Sequence, residues 1–388
     1  MPRKVTKLSE DKPLPIPFRP FNGARYLALP IVAALFAACS LPGSRASLAD
    51  PNNVTPALAG ALRAHSNVAI SEFAIPTYAS GPVAIVKGGS DLWFTEDAAS
   101  KIGSATESGQ ITEFPITTKS PHDDPLRPRP ELTTPPSGFG PNGIALGYDN
   151  ALWFTEDNAS AVGRMTLAGK MSGQYRVDAS CCLQYIHKGP GKALWFAASN
   201  PAVPEAGADE IARINIKGAV TAFKFRAATP IPGDVAEGPD GAIWFTQYTA
   251  GKIGRMTPAG KVTNEYTTPT KRSSPSGIVE GPDHALWFTE VAANKIGRIT
   301  TTGKITEYPV PTAKAGLSLI TRGPSGALWF TEFYANQIGE ITVTGKITEY
   351  AVPTYNSEPL GIAADGKDTI WFTEHAGNNI GRLVVSGG

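Results

Sequence analysis

All seven tryptophans of this chain share one local setting. Trp93, Trp153, Trp195, Trp244, Trp287, Trp329 and Trp371 are each followed by Phe, and five of the seven open the run Trp-Phe-Thr-Glu. Their spacings are 60, 42, 49, 43, 42 and 42 residues. A residue this rare falls on one period only if the chain is a tandem array of related units. A period of about 42 residues with strand-like composition predicts one four-stranded blade per unit. The fold class expected is therefore all-β, a seven-bladed β-propeller of four-stranded antiparallel blades. Gly and Pro, at 40 and 34 copies, suit many short strands joined by tight turns. A formal net charge of +1 provides no basic face for nucleic acid, so none is expected as a partner.

Unit five shows the internal pattern best. Strand A is expected at Gly277–Glu280, strand B at Ala285–Glu290, strand C at Lys295–Thr300 and strand D at Lys304–Tyr308, with Gly, Pro and Asp punctuating the turns. The last unit stops after its strand C, Ile380–Val385. The segment Val68–Phe73 has the pattern of a strand D and precedes the first strand A. It should complete the last blade and close the ring, which pairs two otherwise exposed edges. The Trp-Phe pairs should pack between blades, and the Gly of strand C should leave room for a facing ring; Ala212 replaces that Gly in blade three.

The propeller is expected at 68–388, behind two shorter segments. Residues 1–25 carry several Lys and Arg, and an apolar run follows at Tyr26–Ala38. That run is too short for a membrane span but suits a signal-peptide core. Ala37-Ala38-Cys39 resembles a lipobox, so 1–39 reads as a signal peptide and Cys39 as the lipidation site. Residues 40–67, small and polar, read as a flexible tether. The expected product is an exported, monomeric cell-envelope lipoprotein that meets the membrane only through its lipid; secreted or periplasmic residence follows if Cys39 is not acylated. The remaining cysteines, Cys181 and Cys182, are adjacent. They form either a disulfide within the pair or to another chain, or, the favoured reading, two small apolar residues entering a strand.

Strands alternate direction in a blade, so the D–A and B–C connections lie on one face. Two long insertions, 119–137 and 198–209, enlarge a D–A and a B–C connection, and so mark that face as the place where a small molecule or protein binds. Strand B ends there in Glu96, Glu156, Glu290, Glu332 and Glu374, with Gln247 in blade four and alanine in blade three. These carboxylates either ring a cation or, as favoured, are structural and paired with the strand C arginines Arg164, Arg255, Arg298 and Arg382.

The run 285–308, with its Ala-Leu-Trp-Phe-Thr-Glu, Lys-Ile-Gly-Arg-Ile-Thr and Lys-Ile-Thr-Glu-Tyr segments, resembles the repeat of the virginiamycin B lyase family, also called streptogramin B lyases; the likeness covers 68–388. The resemblance implies ring opening of a cyclic depsipeptide antibiotic by elimination. A base removes the proton alpha to the ester carbonyl while Mg²⁺ polarises that carbonyl. It also places the family's two histidines at positions held here by Ser318 and Leu360, and a first-blade tyrosine at Val83. An acidic position is kept as Glu358, and a second acidic metal ligand corresponds to Glu374, or to His375 if the loop shifts by one. Glu358, Glu374 and His375, with His122 swinging over from the insertion, form the candidate set for a divalent metal, Mg²⁺ by resemblance.

Leucine accepts no proton, and serine is a poor base at neutral pH. The ring of residues before Gly-Ile in successive blades is Val83, Asn142, Gln184, Gly233, Ser276, Ser318 and Leu360. It is neutral, and Asn142, Gln184, Ser276 and Ser318 offer hydrogen bonds to an uncharged ligand in the channel. His187 should reach either the channel or a turn, and His284 a turn on the opposite face. The leading expectation is an exported lyase-like propeller that binds a ligand or partner without efficient lyase activity. The alternative is an antibiotic-inactivating carbon–oxygen lyase with a rearranged acid/base set; a purely structural surface protein is the third reading.

Overall fold

The computed structural model describes residues 68–117, 138–177, 182–199, 209–224, 231–366 and 368–385. The segments expected to be signal peptide, lipidation site and tether (1–67), together with His122 and most of both insertions, lie outside the described residues.

The described chain forms seven separate four-stranded antiparallel sheets. In blade five the strands are Pro275–Glu280, Leu286–Glu290, Lys295–Ile299 and Ile305–Pro309, within two residues of the expected limits at each end. Strand A of every blade packs against strand A of its neighbours, blade seven against blade one included, so the sheets close into a ring. Closure occurs as expected. The strand Val68–Ala74 pairs with Asn379–Val385 over seven residues, from Val68 opposite Val385 to Ala74 opposite Asn379. Glu72 on this strand accepts hydrogen bonds from the Thr354 amide and hydroxyl, at 2.8 and 2.9 Å.

Alternation along strand B sends Trp to one side of the blade and Phe to the other. The Phe ring covers the strand C glycine. A Cβ on Gly297 would lie 2.2 Å from the Phe288 ring, and the same holds at Gly103 and Gly254 to within a few tenths of an ångström. Trp287, in turn, enters the next blade's core beside Leu317, Leu328, Phe330 and Ile341. It stacks on Tyr308 of its own strand D at 5.6 Å and 15°. Each blade therefore presents a tryptophan to a neighbour that receives it over its phenylalanine, and burying each such ring contributes about 1.5–3 kcal/mol.

The arginines of strand C do not pair with the strand B glutamates, contrary to expectation. Arg298 stands opposite Trp287 in the register, three residues from Glu290. Its Nε donates to Asp283 Oδ2 at 2.6 Å, while Trp287 Nε1 donates to Asp283 Oδ1 at 2.9 Å. Burial pushes the Asp283 carboxyl up, but the Trp287 and Arg298 hydrogen bonds outweigh it and hold the group below the usual range. Asp149 with Arg164 and Asp240 with Arg255 repeat the arrangement in blades two and four. The charge pairs of these arginines thus lie at the A–B turn, away from the strand B carboxylates.

A β-bulge sits near the start of strand A in all seven blades, for example between Pro275 and Ile278. The bulge takes one N–H out of the ladder. In blade five that N–H, on Gly277, donates to Thr289 Oγ1 at 3.0 Å, and the hydroxyl donates onward to the Ser318 carbonyl of blade six at 2.7 Å. The threonine of Trp-Phe-Thr-Glu is therefore a tie between blades. Thr95, Thr155, Thr246, Thr331 and Thr373 make the same tie. Blade three has Ala197 at this position and lacks it.

Candidate functional site

The strand B glutamates are fully buried and point into their own blades, not into the channel. Each crosses the strand C glycine toward a strand D residue. Glu156 meets Gln174, and Gln247 donates to Glu265 at 2.7 Å. Glu96 meets Glu113, and Glu374 meets Glu72. Glu290 and Glu332 feel the charges of Glu307 and Glu349. Burial pushes Glu96, Glu156 and Glu374 up to about 8, Glu290 to about 7 and Glu332 to about 9. Burial therefore favours the neutral form of Glu96, Glu156, Glu332 and Glu374 at neutral pH, and works against ionisation of Glu290 as well, whereas a cation would call for an anionic ring. The structural reading of this set stands, with a different partner from the one expected. Blade three has dropped the pair, carrying Ala198, Ala212 and Ala222 on its three outer strands.

The residue that follows this glutamate position faces the mouth on the D–A/B–C side. Across blades one to seven the set reads Asp97, Asp157, Ser199, Tyr248, Val291, Phe333 and His375. It divides into two arcs. On blades seven, one and two, His375 Nδ1 lies 3.3 Å from the Pro82 carbonyl, and its amide donates to Glu358 O at 3.1 Å. Burial raises the carboxyls of Glu358 and Asp97, and the His375 charge opposes the rise in both. Burial, aided by the Asp97 charge, lifts Asp157 to about 7 against hydrogen bonds from the Leu183 and Cys182 amides. On blades four to six the arc is apolar: Tyr248 and Val291 cluster with Ile231, and Phe333 meets Tyr334 edge-on at 5.3 Å. Tyr78, Tyr355 and Tyr334 stand on connections of this same face, 94%, 76% and 49% exposed.

A solved virginiamycin B lyase from Staphylococcus aureus is 34% identical to this chain, which covers 99% of it with 82% of its own residues at a TM-score of 0.70. The chain belongs to the virginiamycin B lyase family. The model described as the virginiamycin B lyase family matches residues 202–388. A catalytically inactive histidine-to-alanine variant of the staphylococcal lyase, solved with quinupristin, is likewise 34% identical, with a TM-score of 0.71 over 82% of this chain and 99% of that one. A Kuenenia stuttgartiensis hydrazine synthase chain shares the fold alone, at 14% identity and a TM-score of 0.62 over 80% of this chain and 97% of that one.

Three buried positions are those at which the resemblance implies two histidines and a tyrosine. Ser318 and Leu360 are each 1% exposed, and their carbonyls accept the Thr289 and Thr331 ties. Val83 is equally buried and its carbonyl accepts from Thr373. Of the residues expected to line the channel, Asn142 donates to Leu183 O at 3.1 Å and Gln184 to Cys182 O at 3.3 Å, so both amides are turned onto the backbone of blade three. Ser276 and Ser318 are buried with them. Cys182 is buried and disulfide-bonded, which corrects the favoured reading of two apolar thiols; Cys181 lies outside the described residues.

The described members of the candidate metal set, Glu358, Glu374 and His375, do not come together. Glu374 occupies the buried glutamate position, with Asn379 Nδ2 donating to its Oε2 at 3.2 Å, while Glu358 stays at the mouth with His375. Among the described residues no three His, Cys, Asp or Glu side chains converge as a metal site. The described donors alone do not form a Mg²⁺ site, and His375, not Glu374, is the mouth residue of blade seven. His375 was among the sequence candidates, as the alternative to Glu374 if the loop shifts by one, because it directly follows the repeated Trp-Phe-Thr-Glu.

Proposed function

We propose that this family member is an exported, lipid-anchored binding protein whose D–A/B–C face takes up a ligand or partner bearing aromatic and hydrogen-bonding groups, without efficient lyase activity. The observation that carries the reading is the burial of Ser318 and Leu360, which stand where the family resemblance implies two histidines. Neither side chain can serve as a base there. The exposed tyrosines support binding, because each offers a large rigid contact with a polar tip. The anchor rests on the sequence around Cys39, and the ligand class on the two-sided mouth.

A specific observation favours a second reading. His375 sits between Glu358 and Asp97 with Nδ1 turned to the Pro82 carbonyl, which leaves Nε2 as the nitrogen available to take a proton. A depsipeptide lyase with its base relocated to blade seven would look like this. Incubation of the purified protein with a type B streptogramin, with and without Mg²⁺, separates the two by chromatography with mass detection. The expected result is saturable binding and unchanged antibiotic. A linear product of unaltered mass, abolished by His375→Ala, establishes the second reading instead.

A further inference from the structure

We propose that the well at the A–B end of the channel, opposite the mouth, binds a small apolar molecule carrying one carboxylate. The well has a volume of about 500 Å³. That lies within the range of small-molecule sites. Its wall is a collar of seven β-branched residues at the fourth position of strand A, from Ile85 round to Ile362. Its floor holds Leu319 and Tyr185, whose hydroxyl bonds Ser318 on the far side of the ring. Tyr185 thereby bars the bore between blades three and six, and the well is a compartment separate from the mouth.

One polar device interrupts the aliphatic wall. Asp234, 3% exposed, accepts from the Val235 amide at 2.8 Å, the Ile278 amide at 3.0 Å and His187 Nε2 at 2.7 Å. A carboxylate that accepts from every side fixes the hydrogen of His187 on Nε2. Nδ1 has no protein partner among the described residues, and the ring is 43% exposed. Burial works to lower the His187 pKa, but the Asp234 charge and hydrogen bond outweigh it and raise it, so the cation is favoured and Nδ1–H points at a bound anion. The dyad joins blades three and four, where Ala197 leaves out the threonine tie.

The rim adds direction. Lys87, Lys188 and Arg322 stand there against Glu237 and Glu280. Lys87 Nζ is committed to the Ser90 carbonyl at 2.5 Å and Lys188 lies over the Tyr148 ring at 5.3 Å. Arg322 carries no hydrogen bond or ion pair among the described residues and is exposed. An apolar body would fill the collar down to Tyr185, and its carboxylate would sit at the level of His187 with Arg322 above. The two glutamates restrict the site to a ligand with one compact anionic head.

Octanoate and octan-1-ol form the test pair, titrated into the full chain by calorimetry at neutral pH. Octanoate is expected to bind saturably and at least about tenfold more tightly than the alcohol, the worth of one charge-assisted hydrogen bond. His187→Gln, which keeps a donor for Asp234 but loses the charge, is expected to erase that difference while leaving the thermal midpoint close to wild type. Ring NMR signals of His187 should move with octanoate and those of His375 should not. Equal affinity for the two probes, no saturable octanoate binding at millimolar concentration, an unaltered preference in His187→Gln, or movement confined to His375 would each overturn the proposal.

Discussion

A single carboxyl shows how burial sets chemistry at the scale of a residue. Glu332 is fully enclosed, and burial followed by the Glu349 charge pushes it up to about 9. In the unfolded chain the same group titrates near 4.5. The folded state therefore binds a proton that the unfolded state releases, and stability falls as pH rises from about 4.5 through about 9. Blade four shows the neutral solution to the same geometry, with Gln247 donating to Glu265. Glu332→Gln should copy it. Urea unfolding at pH 6, 7.5 and 9 is expected to show the wild type losing stability more steeply than the variant, and the variant gaining at least about 1 kcal/mol over wild type at pH 9. Parallel pH profiles for the two proteins would show that Glu332 is ionised in the fold.

At the scale of an element, strand C is limited by what crosses it. The glycine of Lys-Ile-Gly-Arg-Ile has ordinary extended backbone, and its φ does not demand glycine. What demands it is the Phe288 ring, 2.2 Å from where a Cβ on Gly297 would stand. Both ring and backbone are packed on every side, so neither gives way at low cost. Gly297→Ala is expected to destabilise by about 1–3 kcal/mol in chemical unfolding. Blade three carries Ala212 opposite Phe196 without this constraint being lifted by sequence spacing alone; it has replaced the flanking polar pair by alanines on strands B and D as well. A Gly297→Ala protein as stable as wild type would mean that the other blades can make the same adjustment. The strand B to strand D contact was not legible in the linear chain, because its two partners are separated by the whole of strand C and meet only across a residue with no side chain.

At the scale of the molecule, the ring is held shut by its first strand. Val68–Ala74 supplies the outer edge of blade seven, stacks Phe73 on Trp371 at 5.9 Å, and places Glu72 against Thr354, 282 residues away. Removing it exposes the edge of Asn379–Val385 and leaves Glu374 without its strand D partner. Deletion of residues 68–74 is expected to abolish the single cooperative thermal transition, because a toroid distributes its core over all blade interfaces. An intact sharp transition at the wild-type midpoint would show that blade seven is stable with three strands.

The seven-fold period, the strand limits and the closure by Val68–Phe73 were determined by the sequence alone, because each follows from local alternation and turn chemistry repeated seven times. The presence of Ser318 and Leu360 where the resemblance implies histidines was legible too, since a residue's identity needs no coordinates. Only the tertiary structure decided where side chains of different blades meet. It turned the strand B glutamates inward, moved the arginines to the A–B turn aspartates, put His375 in place of Glu374 at the mouth, and joined His187 to Asp234. The physical reason is the same in each case. These contacts run across strands or between blades, where geometry at the bulge and the curvature of the ring, not spacing along the chain, choose the partner.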